Sequence, residues 1–95
     1  RFLAGRALAP SLRATTDMHE ALADRALIVY AAPSHVLRTV VASGASAVVR
    51  DAVTAVASKG IERETMALMT DVVEQTLPGR AVVAISGPSF AAEVA

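Results

Sequence analysis

Leu27-Ile28-Val29-Tyr30-Ala31-Ala32, closed by Pro33-Ser34, is a short continuous apolar run. Two more runs have the same form. Ala52-Val53-Thr54-Ala55-Val56-Ala57 ends in Ser58-Lys59-Gly60, and Ala81-Val82-Val83-Ala84-Ile85 ends in Ser86-Gly87-Pro88-Ser89. Runs of this kind read as strands apolar on both faces, as in a parallel sheet covered on both sides. Their alanine content argues for helix. The shortness of the runs and the Gly and Pro that flank them decide for strand.

Helical patterns separate the three runs. Ile61, Thr65, Leu68, Met69, Val72, Val73 and Leu77 recur at three- and four-residue spacing. Glu62, Arg63, Glu64, Asp71, Glu74 and Gln75 fill the opposite face, and Pro78-Gly79 stops the helix. Ser34 is placed to cap a second helix with Val36, Leu37, Val40 and Val41 as its apolar stripe and Gly44 near its end. Whether that helix continues from Ser46 to Arg50 stays open. A shorter helix follows Asp17, which stands at capping-box spacing from Glu20, with Met18, Ala21 and Leu22 facing inward. Residues 1–16 read as irregular, with one short strand near Leu12 to Thr15, and a further helix opens at Ala91. The order α, β, α, β, α, β implies right-handed crossovers and an α/β fold, a partial doubly wound parallel sheet.

Composition bounds the function. The 95 residues support one domain with a modest core. Nine basic residues balance nine acidic ones, which argues against nucleic acid or an anionic membrane as partner. With no cysteine there is no disulfide framework and no thiolate metal site, and two histidines with scattered carboxylates make a weak metal case, so no metal is expected. No apolar run approaches the ~18 residues of a membrane span, and the first residues lack the basic region, apolar stretch and cleavage site of a signal peptide. The chain starts at an arginine and stops within a helix start. These features are read as a piece of a larger soluble, cytoplasmic protein.

In an open α/β sheet, ligands bind beyond the carboxyl ends of the strands. Those ends are Pro33-Ser34-His35, Ser58-Lys59-Gly60 and Gly87-Pro88-Ser89-Phe90-Ala91. Lys59 is the sole lysine beside eight arginines, and it follows a strand directly. An ammonium there is placed to pair with a phosphate or polarise a carbonyl oxygen. Gly87 allows close backbone approach, and Ser89 with the amides of a helix start suits an oxygen-rich ligand. The same Gly-x-Ser-x-small turn is close to a nucleophile elbow, with Ser89 as a hydrolase nucleophile. His35 precedes Ser89, against the usual order of that triad. His35 is most simply a first-turn helix residue, His19 a solvated one, and Glu62, Glu64, Asp71 and Glu74 the wet face of a helix. A non-catalytic α/β interaction module is the third reading, without positive support from the composition.

Four stretches in one order then carry a resemblance: Leu12-Arg13-Ala14-Thr15-Thr16-Asp17, Ala31-Ala32-Pro33-Ser34-His35, Ser58-Lys59-Gly60-Ile61-Glu62, and Ser86 to Ala95. Together they resemble the bacterial-type NAD(P)-dependent glycerol-3-phosphate dehydrogenases, over essentially the whole chain. The resemblance implies an enzyme with an N-terminal Rossmann-type domain and a C-terminal helical domain. Such an oxidoreductase interconverts dihydroxyacetone phosphate and sn-glycerol 3-phosphate with NAD or NADP and supplies glycerophospholipid synthesis. Residues 1–95 correspond to the second half of the Rossmann-type, NAD(P)-binding domain, without its glycine-rich loop or the helical domain. By position, Lys59, Gly87 and Ser89 are the implied substrate-binding residues, and Lys59 and Ala91 the implied cofactor-binding residues. The proton-transferring lysine of the family falls outside these 95 residues, so no catalytic acid or base is expected among them. The choice between NAD and NADP, and any homo-oligomer, stays open.

Overall fold

A computed structural model describes residues 7 and 9–86. Helix α1 spans Met18–Leu22. Asp17 caps it, its side chain accepting from the backbone N–H of His19 at 3.0 Å and of Glu20 at 3.3 Å. The second half of the expected capping box is replaced. Thr15 Oγ1 accepts the Asp17 N–H at 3.0 Å, and Glu20 instead takes Arg13 Nη2 at 3.1 Å. Leu22 is buried and Met18 packs against the core, whereas Ala21 is exposed. Leu12 to Thr15 form no strand. Leu12 N–H bonds to the Ala9 carbonyl in a turn, and Leu12 stays exposed.

Three strands follow the sequence reading with trimmed ends: β1 Leu27–Tyr30, β2 Val53–Val56 and β3 Ala81–Ala84. They lie parallel in chain order, with Leu27 opposite Val53 and Val53 opposite Ala81. Helix α2 (Leu37–Ser43) connects β1 to β2, followed by a short 3₁₀ turn at Ala45–Ala47 that settles the Ser46 question. Ser34 does not cap α2. Pro33 to Val36 make a turn closed by Val36 N–H to the Pro33 carbonyl at 3.1 Å, and the helix starts only after it. His35 therefore lies in that turn rather than in the helix.

Helix α3 covers Met69–Thr76, half the length its apolar spacing predicts. Met66 has φ +62°, which no right-handed helix accommodates. Thr65 Oγ1 also takes the Ala67 N–H at 3.2 Å, a local bond that competes with the helical ladder. Residues 61–68 instead form a compact loop pinched by an Ile61–Leu68 bridge. The carboxylate of Asp71 then accepts the Leu68 N–H at 3.2 Å and starts the true helix. Its end is as expected: Leu77-Pro78-Gly79-Arg80 is a type II-like turn, with Gly79 at φ +82° and Arg80 N–H on the Leu77 carbonyl.

The core lies on one side of the sheet. Ile28, Tyr30 and Val56 pack under Leu37 and Val41 of α2 and Val72 and Val73 of α3. Thr54 is fully buried but satisfied, its hydroxyl donating to the Ala81 carbonyl at 2.9 Å. On the opposite side Leu27 is 59% exposed, Val29 51% and Val83 47%. The expectation of a sheet covered on both faces therefore holds for one face among the described residues. The reason is topological: two successive right-handed crossovers moving the same way across a sheet put both helices on the same side.

Candidate functional site

The carboxyl ends of the strands open onto two cavities separated by the loop that leaves β2. One, of about 280 Å³, is lined by Val56, Ser58, Lys59, Gly60, Leu68, Met69, Thr70, Ala84, Ile85 and Ser86. Lys59 thus stands where its sequence position placed it, exposed at the end of the central strand. The other cavity, of about 460 Å³, is lined by Ser34, His35, Ile61, Glu62, Arg63 and Glu64 at the end of β1. A third hollow, beside α1 and the residues leading into β1, includes Arg13, Thr15 and Arg25 and lies apart from the strand ends.

Sheet pairing carries on past the strands toward the site. Ala57 N–H bonds to the Tyr30 carbonyl at 2.8 Å, and Ile85 N–H to the Val56 carbonyl at 2.9 Å. The Ser58 hydroxyl donates to the Ala32 carbonyl, tying the end of β2 to the segment after β1. Gly60 has φ +109°, a conformation that suits glycine, and it turns the chain sharply just after Lys59. A Cβ at Gly60 would meet nothing closer than Ser34 Oγ at 3.8 Å, so the glycine is needed for its backbone angle rather than for space.

Glu62 is the residue that the sequence reading missed. It was expected on the wet face of a helix, but it lies in the loop and is held by three groups. Arg38 Nε donates to Oε2 at 2.8 Å and Arg38 Nη2 to Oε1 at 2.8 Å. The Thr65 hydroxyl donates to Oε1 at 2.6 Å. The hydrogen bonds from Arg38 and then Thr65 bring the Glu62 carboxyl down from 4.5 to about 2. Arg38 also donates to Gln75 Oε1 at 2.8 Å, which brings α3 into the network. The signal in the sequence was an Arg on one helix and an acid just after Lys59-Gly60, 24 residues apart, which no local periodicity could pair.

Gly87, Ser89 and Ala91, with the helix expected from Ala91, lie outside the described residues. Among the described residues no group of three or more His, Asp or Glu is gathered to hold a metal ion. No described helix is long and apolar enough to cross a membrane.

A three-stranded parallel sheet with helical crossovers makes the chain an α/β protein, an arrangement consistent with a Rossmann-type nucleotide-binding domain. The chain belongs to the family described as NAD-dependent glycerol-3-phosphate dehydrogenase N-terminus, whose family model matches residues 1–95. It is 43% identical over 94 residues to a glycerol-3-phosphate dehydrogenase, NAD(P)+, of Caulobacter vibrioides, covering 99% of this chain and 28% of the relative. It is 40% identical over 95 residues to the protein of that name from Chelativorans sp., covering 100% and 29%. The one from Myxococcus xanthus is 40% identical over 97 residues, covering 99% and 29%. The chain thus spans under a third of the length of the curated relatives it matches. These matches lend no support to Ser89 as a hydrolase nucleophile.

Proposed function

We propose that residues 1–95 form part of the N-terminal cofactor-binding domain of an oxidoreductase that interconverts dihydroxyacetone phosphate and sn-glycerol 3-phosphate. The relatives' shared name supplies the dehydrogenation of glycerol 3-phosphate with NAD(P)+. The observation that carries it into this chain is the placement of Lys59 at the carboxyl end of the central strand, lining a cavity. The donor set suits an anionic, oxygen-rich ligand: one ammonium, the Ser58 and Ser86 segments, and a backbone turned by Gly60 so that its peptide groups stand close to the cavity. NAD or NADP, when bound, supplies or accepts the hydride.

Lys59 in this reading binds both cofactor and substrate. Its ammonium stabilises negative charge that develops on the substrate oxygen during reduction of the carbonyl. Gly87 and Ser89 bind substrate and Ala91 binds cofactor. The glycine-rich loop, the proton-transferring lysine and the phosphate-binding residues belong to parts of the protein outside these 95 residues. The enzyme acts in the cytoplasm and feeds glycerophospholipid synthesis.

The test is nicotinamide oxidation by the complete protein with dihydroxyacetone phosphate as substrate, before and after Lys59→Ala. The substitution is expected to lower turnover and substrate affinity together while leaving stability nearly unchanged. Loss of such a charge-assisted contact costs about 2–4 kcal/mol in the transition state, or about 30- to 1,000-fold in rate. Unaltered kinetics would take Lys59 out of the site. A fluorophosphonate that labels Ser89 in a protein without dehydrogenase activity would reverse the choice of reaction.

A further inference from the structure

We infer that Arg38 and Glu62 are positioning residues that fix the Lys59 loop against the two crossover helices. The inference rests on the reading of Lys59 given above. A lysine carries a point charge on a flexible stem, so where that charge sits depends on how firmly its backbone is held. After β2 the chain leaves the sheet ladder, turns at Gly60 and travels to residue 69 before regular structure resumes. Such a loop moves unless something outside it holds it.

Among the described residues, two fastenings lie on either side of Lys59. Ser58 bonds to the Ala32 carbonyl on the strand side of Lys59. Glu62 takes both prongs of the Arg38 guanidinium on the far side. A two-pronged pair fixes rotation as well as distance, which a single hydrogen bond does not. Within the loop, Glu62 N–H donates to the Ala67 carbonyl at 2.9 Å and Met66 N–H to the Glu62 carbonyl at 2.7 Å, so the whole segment moves as one piece with the Glu62 backbone. Arg38 is itself braced by Gln75 of α3. The pair is partly shielded, with the Glu62 side chain 14% exposed and that of Arg38 37%. Lys59 therefore sits between two anchors, one to the segment after β1 and one to α2 and α3.

The experiment is a double-mutant cycle in the complete protein. It reads kcat and KM for dihydroxyacetone phosphate in the parent, Lys59→Ala, Glu62→Ala and the double variant. Glu62→Ala is expected to lower kcat/KM by about 10- to 100-fold, the scale of a displacement of about 1 Å at a reacting group. In the Lys59→Ala background it should change kcat/KM by less than about twofold, because a residue that acts through Lys59 has nothing left to position. Arg38→Glu with Glu62→Arg should recover much of the loss. Glu62→Gln, which keeps the shape, serves if Glu62→Ala does not fold. Equal losses in both backgrounds would show a general structural role and overturn the inference. So would unchanged kcat/KM in Glu62→Ala and Glu62→Gln alongside an impaired Lys59→Ala, a result that leaves the Lys59 reading standing. An unimpaired Lys59→Ala removes the reading and the inference together.

Discussion

Arg38 on helix α2 reaches Glu62 with both Nε and Nη2 at 2.8 Å, joining two residues 24 apart in sequence. The pair closes the loop behind Lys59, and the charge state of its acid is open to measurement.

Glu62 has a folded pKa of about 2 against an ordinary 4.5, so the pair stabilises the folded state fully above about pH 4.5. That contribution is lost as pH falls from 4.5 toward 2, because protonation then favours the unfolded chain. Urea midpoints of the parent and Glu62→Gln should differ by a constant amount between pH 7 and 5, and the gap should narrow below pH 4.5. A gap independent of pH would mean that the carboxylate charge contributes nothing.

Gly60→Ala tests the turn after Lys59. With φ at +109° an alanine is strained by about 1–3 kcal/mol. No clash adds to this, since the nearest atom to the new Cβ is Ser34 Oγ at 3.8 Å. The variant should unfold at lower denaturant and show a raised KM. A parent-like midpoint would show that the turn relaxes freely.

Gly44→Ala should destabilise for a different reason. Gly44 has φ −119°, which any residue adopts, but a Cβ there would lie 2.5 Å from Leu22 Cδ1 and 2.5 Å from Met18 Cγ. Overpacking of this kind costs about 1–3 kcal/mol. Adding Met18→Ala should recover part of the loss, and thermal unfolding of the two variants measures both effects. Gly44→Ala as stable as the parent would mean that α1 shifts without cost.

Lys59→Arg should rescue only part of the activity lost in Lys59→Ala. The planar guanidinium is larger and spreads its charge, so it does not replace a compact ammonium at one point. Full activity in Lys59→Arg would show that charge alone suffices.

Residues 1–95 made alone should be inactive and self-associating. Leu27, Val29 and Val83 form an apolar stripe on the side of the sheet away from α2 and α3. Among the described residues, the outer edge of β1 is also unpaired. Sedimentation should show oligomers, and Val29→Lys with Val83→Lys should shift them toward monomer. A monomeric segment that turns over dihydroxyacetone phosphate would contradict both the site and the topology.

The strands were legible because their signal is local: each is a short apolar run ended by turn residues, and parallel order follows from the helices between them. The position of Lys59 was legible because it directly follows the apolar run of β2, while its role remains the proposal made above. The first half of the predicted third helix failed because Ile61, Thr65 and Leu68 fit a helical stripe by spacing alone. Thr65 bonds to the Ala67 N–H and the Glu62 carboxylate, and Met66 turns left-handed, so tertiary and side-chain bonds overrode the period. Glu62 was misread for the same reason, since its partner is remote in the chain. The sheet face left largely exposed among the described residues was not foreseen, because an apolar run shows that a face can be buried, not that these residues bury it.

The chain order of the sheet has a consequence for synthesis. Leu27 pairs with Val53, and Val53 with Ala81, so each strand must wait for a whole helix to emerge before its partner exists. No tight hairpin can form early and hold the nascent chain together. The sheet instead grows by one helix and one strand at a time as the polypeptide leaves the ribosome. In the interval after β2 has emerged and before β3 has followed, Thr54, Ala55 and Val56 stand at an open edge beside an incomplete core. That interval is when the half-built sheet has most apolar edge open to other chains, and the exposed strand is the one that leads into Lys59.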